Sequence, residues 1–227
     1  VMRERGGVAL TPLSIAVLAL LDERPMHPYE MYQLLLARRD DLLLKVRPGS
    51  LYHAVAKLAD AALIEPEGTD RAGNRPERTT YRILDAGREL LQQRVTELLS
   101  VPVQEFPIFR LALSEAHSLP KDDVVAAVRT RIDYLNQDLA DLDTLMEWAR
   151  TRDVPRRYWM VAEYMHATVT AEERWLTHLC ADLESGALEW ETFDPVTGTR
   201  QPDTHQVWRP SETADLMPVP RWATRTS

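Results

Sequence analysis

Two short stretches of this chain concentrate positive charge. Residues 45–57 hold Lys45, Arg47 and Lys57 and no acid, and residues 71–82 hold Arg71, Arg75, Arg78 and Arg82 against the single acid Glu77. Cations bunched in this way suit the neutralisation of phosphate, whose charge they meet without reading anything else. Ser50 and His53 lie inside the first stretch and carry groups that can donate and accept hydrogen bonds. Tyr52 beside them reads equally as a core aromatic or as a contact residue. Arg82 sits in a β-branched run and reads as structural.

A second set, Trp148, Tyr158, Trp159 and Trp175, could wall a pocket for a small ligand or pack between chains. Catalysis finds no support. The chain has no HExxH, no phosphate-binding glycine loop, no GxGxxG and no paired cysteines. Glu163-Tyr164-Met165-His166 has the Glu-x-x-His spacing of di-iron helices. Such a site needs a second copy, which the chain lacks. No metal, cofactor or enzyme activity is implied.

The 227 residues carry 27 Lys+Arg and 35 Asp+Glu, a net charge of −8. The excess is all in one half: residues 1–100 hold 14 cations and 14 acids, and residues 101–227 hold 13 and 21. The basic stretches therefore stand out from a neutral half as one binding face. The longest apolar stretch, within residues 13–21, is about half the ~20 residues of a membrane span. No signal-peptide order is visible at the first residues. The one cysteine, Cys180, excludes an internal disulfide framework, and a reducing cytoplasmic setting is the expectation.

These residues need elements to position them. Thr11-Pro12 is a cap followed by a first-turn proline, and Leu13, Ala16, Val17, Leu20 and Leu21 follow at helical spacing. Pro28 opens a second helix with Tyr29, Met31, Tyr32, Leu35 and Leu36 as its apolar positions. Pro48-Gly49-Ser50 opens a third, with Leu51, Val55, Leu58 and Ala62 inward and Ser50, His53, Lys57 and Asp60 outward. Residues 63–65 and 79–83 read as short strands around a polar turn region at 67–78, and Asp85 reads as the cap of a fourth helix. Helix, helix, helix, strand, basic tip, strand, helix is the order of a winged helix-turn-helix.

Beyond a proline-containing break at 101–107 comes a short helix, 108–116, and then two long ones. Val125, Val128, Ile132, Leu135, Leu139, Leu142 and Met146 step by three and four, as do Tyr158, Ala162, Met165, Val169, Glu172, Leu176, Leu179 and Leu183. Joined at Val154-Pro155, they predict an antiparallel hairpin. With too little chain to cover both seams, the pattern predicts an obligate dimer through residues 108–186.

Four pieces stand in order along about residues 11–90: Pro28-Tyr29-Glu30-Met31, Pro48-Gly49-Ser50-Leu51-Tyr52, Leu58 with Ala62-Leu63-Ile64, and Arg75-Pro76, Arg78, Tyr81, Ile83 and Gly87-Arg88. On these the first half resembles the PadR family of bacterial transcriptional regulators. The resemblance implies that Tyr52 lies on the DNA side, and that aromatic or cationic small molecules are candidate effectors. Family members usually have Gly where this chain has Pro28 or Ala62, and Thr where it has Leu84. The alanine implies a right-handed backbone at residue 62. The leucine passes the cap of the fourth helix to Asp85.

The expectation is a mainly α protein. A flexible arm (1–10) precedes a winged helix-turn-helix domain (11–87), a helical dimerisation and effector domain (88–190) and a poorly structured tail (191–227). Its function is that of a homodimeric, sequence-specific repressor on a near-palindromic operator. Lys45, Arg47, Ser50, Tyr52, His53, Lys57, Arg71, Arg75 and Arg78 contact DNA, and Trp148, Tyr158, Trp159 and Trp175 an effector. The rival is a helical scaffold whose winged domain binds protein, which the net charge of −8 suits.

Overall fold

A computed structural model describes residues 10–70, 78–190, 193–194 and 196–199. The chain divides into two compact units between Gln104 and Glu105.

In the first unit, α1 (Pro12–Glu23) begins where Thr11 Oγ1 accepts the Ser14 N–H at 3.1 Å. α2 (Pro28–Ala37) is capped by a residue the sequence pattern did not single out: His27 Nδ1 accepts the Glu30 N–H at 3.0 Å. A left-handed Arg39 (φ 62°) leads through a 3₁₀ turn to α3 (Pro48–Asp60). The wing pairs β1 (Ile64–Asp70) with β2 (Arg78–Ile83) antiparallel, with Ile64 opposite Ile83 and a bulge between Pro66 and Gly68. Met26 adds a third rung, exchanging backbone bonds with Tyr81 at 3.1 and 2.9 Å. α4 (Asp85–Ser100) completes the unit.

Val17, Leu18, Leu21, Met31, Leu35, Leu51, Leu58 and Ile64 form one core in which each is at most 1% exposed. The boundary at 104 keeps α4, whose Leu91 is buried in this core, in the first unit, where the sequence reading began the next region at residue 88.

Four local readings change. Ala62 is left-handed after all (φ 54°), because α3 ends in a Schellman turn: Leu63 N–H reaches Leu58 O at 3.0 Å, which the right-handed region cannot provide. α3 accordingly stops at Asp60 and leaves Ala62 outside its apolar stripe. Asp85 is already inside α4 and makes no cap bond; Leu84 occupies the cap position with backbone bonds alone. Tyr29 is 52% exposed, since α2 turns Met31 and Leu35 inward instead. β1 runs on to Asp70 because the bulge absorbs Pro66 and Gly68 without ending the ladder.

The glycine of Gly87-Arg88 has a steric cause. A Cβ there would lie 2.3 Å from Leu63 O and 2.9 Å from Ile83 Cγ1, so only Gly lets α4 pass this close to the wing.

The second unit is built on an antiparallel pair, α6 (Lys121–Thr151) and α7 (Met160–Ser185), preceded by short α5 (Ile108–Ser114). At ~1.5 Å per residue α6 is a rod of roughly 45 Å. The two predicted seams pack against each other: Val125, Val128, Leu135, Leu142 and Met146 meet Ala162, Leu176 and Leu183 in two clusters. Each seam thus covers the other within one chain, so the seams themselves are not the surface that needs a partner. Tyr158 is not part of the α7 seam; it lies in a 3₁₀ turn ahead of the helix and is 68% exposed. Glu172, the charged break in the α7 seam, is held by Arg131 at 2.6 and 2.7 Å, and the Arg131 guanidinium stacks 3.6 Å over the Phe109 ring of α5.

Beyond α7, Trp190 Nε1 donates to Leu119 O at 2.9 Å, and Asp194–Thr199 closes a hydrogen-bonded turn. The rest of the expected tail, and of the arm at residues 1–9, lies outside the described residues. No helix among the described residues is long and apolar enough to cross a membrane.

Candidate nucleic-acid interface

α3 is the most sharply two-sided helix of the first unit. Leu51, Ala54, Val55 and Leu58 are buried, while Ser50, Tyr52, His53 and Lys57 are exposed. Tyr52 is 52% exposed, which removes the core-aromatic reading. Arg47 holds the N-cap position but supplies no side-chain cap, and no acid occupies the first turn. The positive end of the helix dipole is therefore unneutralised, in contrast to α2, whose first turn is met by His27 Nδ1 and Glu30.

The charges around α3 sort in one decisive way. Arg24 pairs with Glu30, Arg38 with Glu23, Arg39 with Asp41, Arg82 with Glu65, Arg88 with Asp22 and Arg94 with Glu97. Among the described residues of this unit, Lys45, Arg47 and Lys57 are the cations that no carboxylate meets. They flank or sit on the exposed side of α3. Arg82, read as structural, is held across the wing by Glu65. Arg71 and Arg75 lie outside the described residues; Arg78 opens β2, and its side chain is likewise outside them. The pairing could not be read along the chain, since Glu23 and Arg38 are 15 residues apart and Asp22 and Arg88 are 66 apart.

Residues 17–93 match the model of the transcriptional regulator PadR-like family. This region is PadR-like. The likeness extends in fold to the helical region behind it. Bacillus subtilis PadR in complex with operator DNA superposes with a TM-score of 0.66 at 18% identity, over 78% of this chain and 99% of that one. The same protein in complex with p-coumaric acid gives 0.59 at 16%, over 78% and 99%. A PadR-like regulator from Bacillus cereus gives 0.55 at 17%, over 77% and 99%. Among curated protein sequences none matches the chain. The winged helix-turn-helix with a helical C-terminal region is thus the fold of PadR regulators, and the PadR-like segment contains the whole α3 face.

The four aromatic candidates of the second unit are not brought together. Trp148, Tyr158 and Trp159 gather where α6 turns into α7, each under an arginine: Arg152 at 4.7 Å, Arg157 at 4.7 Å and Arg150 at 5.4 Å from the ring centres. Trp159 is half-buried and donates to Val154 O at 2.9 Å, so it serves packing. Trp175 lies ~22 Å farther along α7. A cleft of about 630 Å³ between the start of α6 and the segment after α7 is lined by Leu183, Trp190 and Phe193 among others, and by none of the four. Glu163 is held by Arg156 at 2.8 Å and His166 lies 3.3 Å from Asp143; among the described residues no three metal-ligating side chains converge.

Proposed function

We propose that this chain is a homodimeric, sequence-specific transcriptional repressor. α3 enters the major groove and the wing tracks the adjacent backbone or minor groove. The observation that carries the reading is the charge sorting around α3. A folded unit that pairs Arg24, Arg38, Arg39, Arg82, Arg88 and Arg94 leaves Lys45, Arg47 and Lys57 open on one exposed face. In this reading those cations, with wing Arg71, Arg75 and Arg78, hold phosphates. Ser50, Tyr52 and His53 in the first turns of α3 meet base edges. Support also comes from the likeness to a PadR seen with operator DNA.

The two domains of a dimer then read half-sites about 34–36 Å apart on a near-palindromic operator, in the cytoplasm. An aromatic or cationic small molecule acting through the second unit shifts that spacing; the PadR seen with p-coumaric acid supports this class of effector. Trp148, Tyr158 and Trp175 are its accessible aromatic contacts.

The test is the salt dependence of operator binding. Each neutralised phosphate contributes a log–log slope of about −0.9, so three contacts per subunit give roughly −5. Lys57→Ala lowers affinity for all duplexes alike and flattens the slope. His53→Ala or Ser50→Ala instead relaxes discrimination at one or two base pairs by about 1–3 kcal/mol. Binding to selected duplexes that ignores both salt and Lys57 overturns the reading in favour of a protein-binding scaffold.

A further inference from the structure

The end of the hairpin away from its turn carries a groove that DNA binding does not use. α7 stops at Gly186, whose left-handed backbone (φ 76°) redirects the chain, and Leu188 N–H then donates to Asp182 O at 3.1 Å. Trp190 packs against the cluster that contains Leu176 and Leu183, and Leu119 O fixes its indole N–H at 2.9 Å. Between this returning segment and the first turn of α6 lies the cleft of about 630 Å³, within the size range of clefts that take ligands. A hollow of about 310 Å³ shares Lys121 and Asp122 with it and continues past Val125 to Arg129 and Glu184. Together they form one groove along about two turns of α6.

The walls combine apolar side chains with unmatched acid. Phe193 is half-buried and lines the cleft without joining the core cluster, and exposed Leu188 lines it too. Asp122, Glu189 and Asp194 stand against Lys121 alone, and none of these four has an ion-pair partner among the described residues. Asp194 is fixed at the rim. Its Oδ1 accepts the N–H groups of Thr197 at 2.7 Å and Val196 at 2.9 Å, which holds its carboxyl below the usual carboxylate range. Such a groove suits a cationic occupant that also carries apolar side chains.

The chain itself supplies one. Residues 101–199 hold 9 cations and 18 acids, whereas residues 216–227 hold Arg221 and Arg225, no acid, and the apolar Leu216, Met217, Val219 and Trp222. That segment has the charge and the side chains the groove lacks. The chain also leaves the described residues beside the groove. Gly198 lines the cleft, and Asp194 N–H donates to Thr199 O at 2.8 Å, which sets Thr199, the last described residue, next to Asp194. From there 16 residues, 200–215, lead to Leu216. Any connection of that length covers about 20 Å without being stretched, and a tether this short gives an effective concentration on the order of millimolar. A modest affinity is then enough to fill the site.

We propose that residues 216–227 dock in this groove, with Trp222 and its apolar neighbours against Phe193 and Leu188, and with Arg221 and Arg225 toward Asp122, Glu189 and Asp194. The chain thus carries its own occupant for the free end of the hairpin. Docking of this kind depends neither on DNA binding nor on the pairing of two chains.

Hydrogen–deuterium exchange of the full chain, read by mass spectrometry, tests the docking. In the wild type the amides of residues 216–227 exchange at least about tenfold more slowly than in a synthetic peptide of the same residues. Asp122→Lys with Glu189→Lys removes that protection, and so does Arg221→Glu with Arg225→Glu, each with helix content unchanged by circular dichroism. All four changes together restore it to within about threefold of the wild type. Trp222→Ala loses it, and Glu173→Lys, on the hairpin outside the groove, leaves it unchanged. Wild-type exchange at the free-peptide rate overturns the proposal and leaves the groove to a separate cationic ligand. Protection that survives reversal of Asp122 and Glu189 places the segment elsewhere and overturns the groove as its site. Protection lost on either reversal and not restored by the four changes together overturns the charge pairing.

Discussion

The two units manage their surfaces in opposite ways. The first wraps three helices, a two-stranded wing and α4 around one core, and closes most of its charges into pairs within itself. What stays open is a compact set of cations around α3. The second has only two long helices, which use one stripe each to cover one another. What stays open there includes large apolar groups one residue off the seam, with Tyr134, Trp148, Tyr164 and Trp175 each more than half exposed. An uncompensated cation in a self-satisfied domain suits a polyanion. An uncovered Trp and Tyr stripe on a two-helix hairpin suits another protein surface. The kind of group a unit leaves open is thus a guide to the kind of partner it takes.

The sharpest test of this contrast is in the two cores. Leu21→Ala in α1, at a site 1% exposed, should destabilise the first unit by about 2–5 kcal/mol, independently of protein concentration. Leu176→Ala in α7, fully buried, should cost a similar amount, but its melting temperature should rise with concentration if that unit is stabilised by pairing. Calorimetry at two concentrations separates them. A concentration effect equal in both variants and both transitions would dissolve the distinction.

Next in size is Gly87→Ala. The added Cβ meets a backbone carbonyl 2.3 Å away, so α4 or the strand end must move. The first unit should lose about 1–3 kcal/mol in urea unfolding. An unchanged midpoint would mean that α4 is loosely seated on the wing.

Ala62→Gly should have a smaller effect of opposite sign. Relief of a left-handed alanine gains ~1–2 kcal/mol and added unfolded-state freedom returns part of it. The net stabilisation is up to about 1 kcal/mol, readable as a higher urea midpoint. Destabilisation would place residue 62 in the right-handed region that the sequence alone suggests.

The smallest effect separates paired from open cations. Arg38 holds the Glu23 carboxyl below its usual range, chiefly by a direct hydrogen bond. A carboxyl whose folded pKa is depressed contributes stability above its unfolded pKa and loses it as pH falls through the folded one. Both groups are nearly half exposed, so Arg38→Ala should cost under ~1 kcal/mol at pH 7 and less once Glu23 is protonated in both states. Lys57→Ala, with no carboxylate to lose, should leave folding within about 0.5 kcal/mol at any pH while weakening DNA binding. A stability loss at Lys57 matching that at Arg38 would make the α3 cations structural.

Much of this protein is local and therefore legible in its residues. Thr11-Pro12, Pro28 and Pro48 mark helix starts because capping and proline geometry act within one turn. The three-four steps of α6 and α7 encode a hairpin because each helix must bury one face. The two-sided α3, with Ser50, His53 and Lys57 outward, is equally a matter of spacing. Only the tertiary structure decided which cations remain open, because Arg38, Arg82 and Arg88 are neutralised by acids 15, 17 and 66 residues away. It alone turned Tyr29 outward, gave Ala62 its left-handed backbone, and showed that the two seams satisfy each other. Periodicity names the apolar face of a helix but carries no information on which neighbour covers it. That is settled by where the chain folds back, and here the fold leaves Tyr164 and Trp175 uncovered one step from the seam.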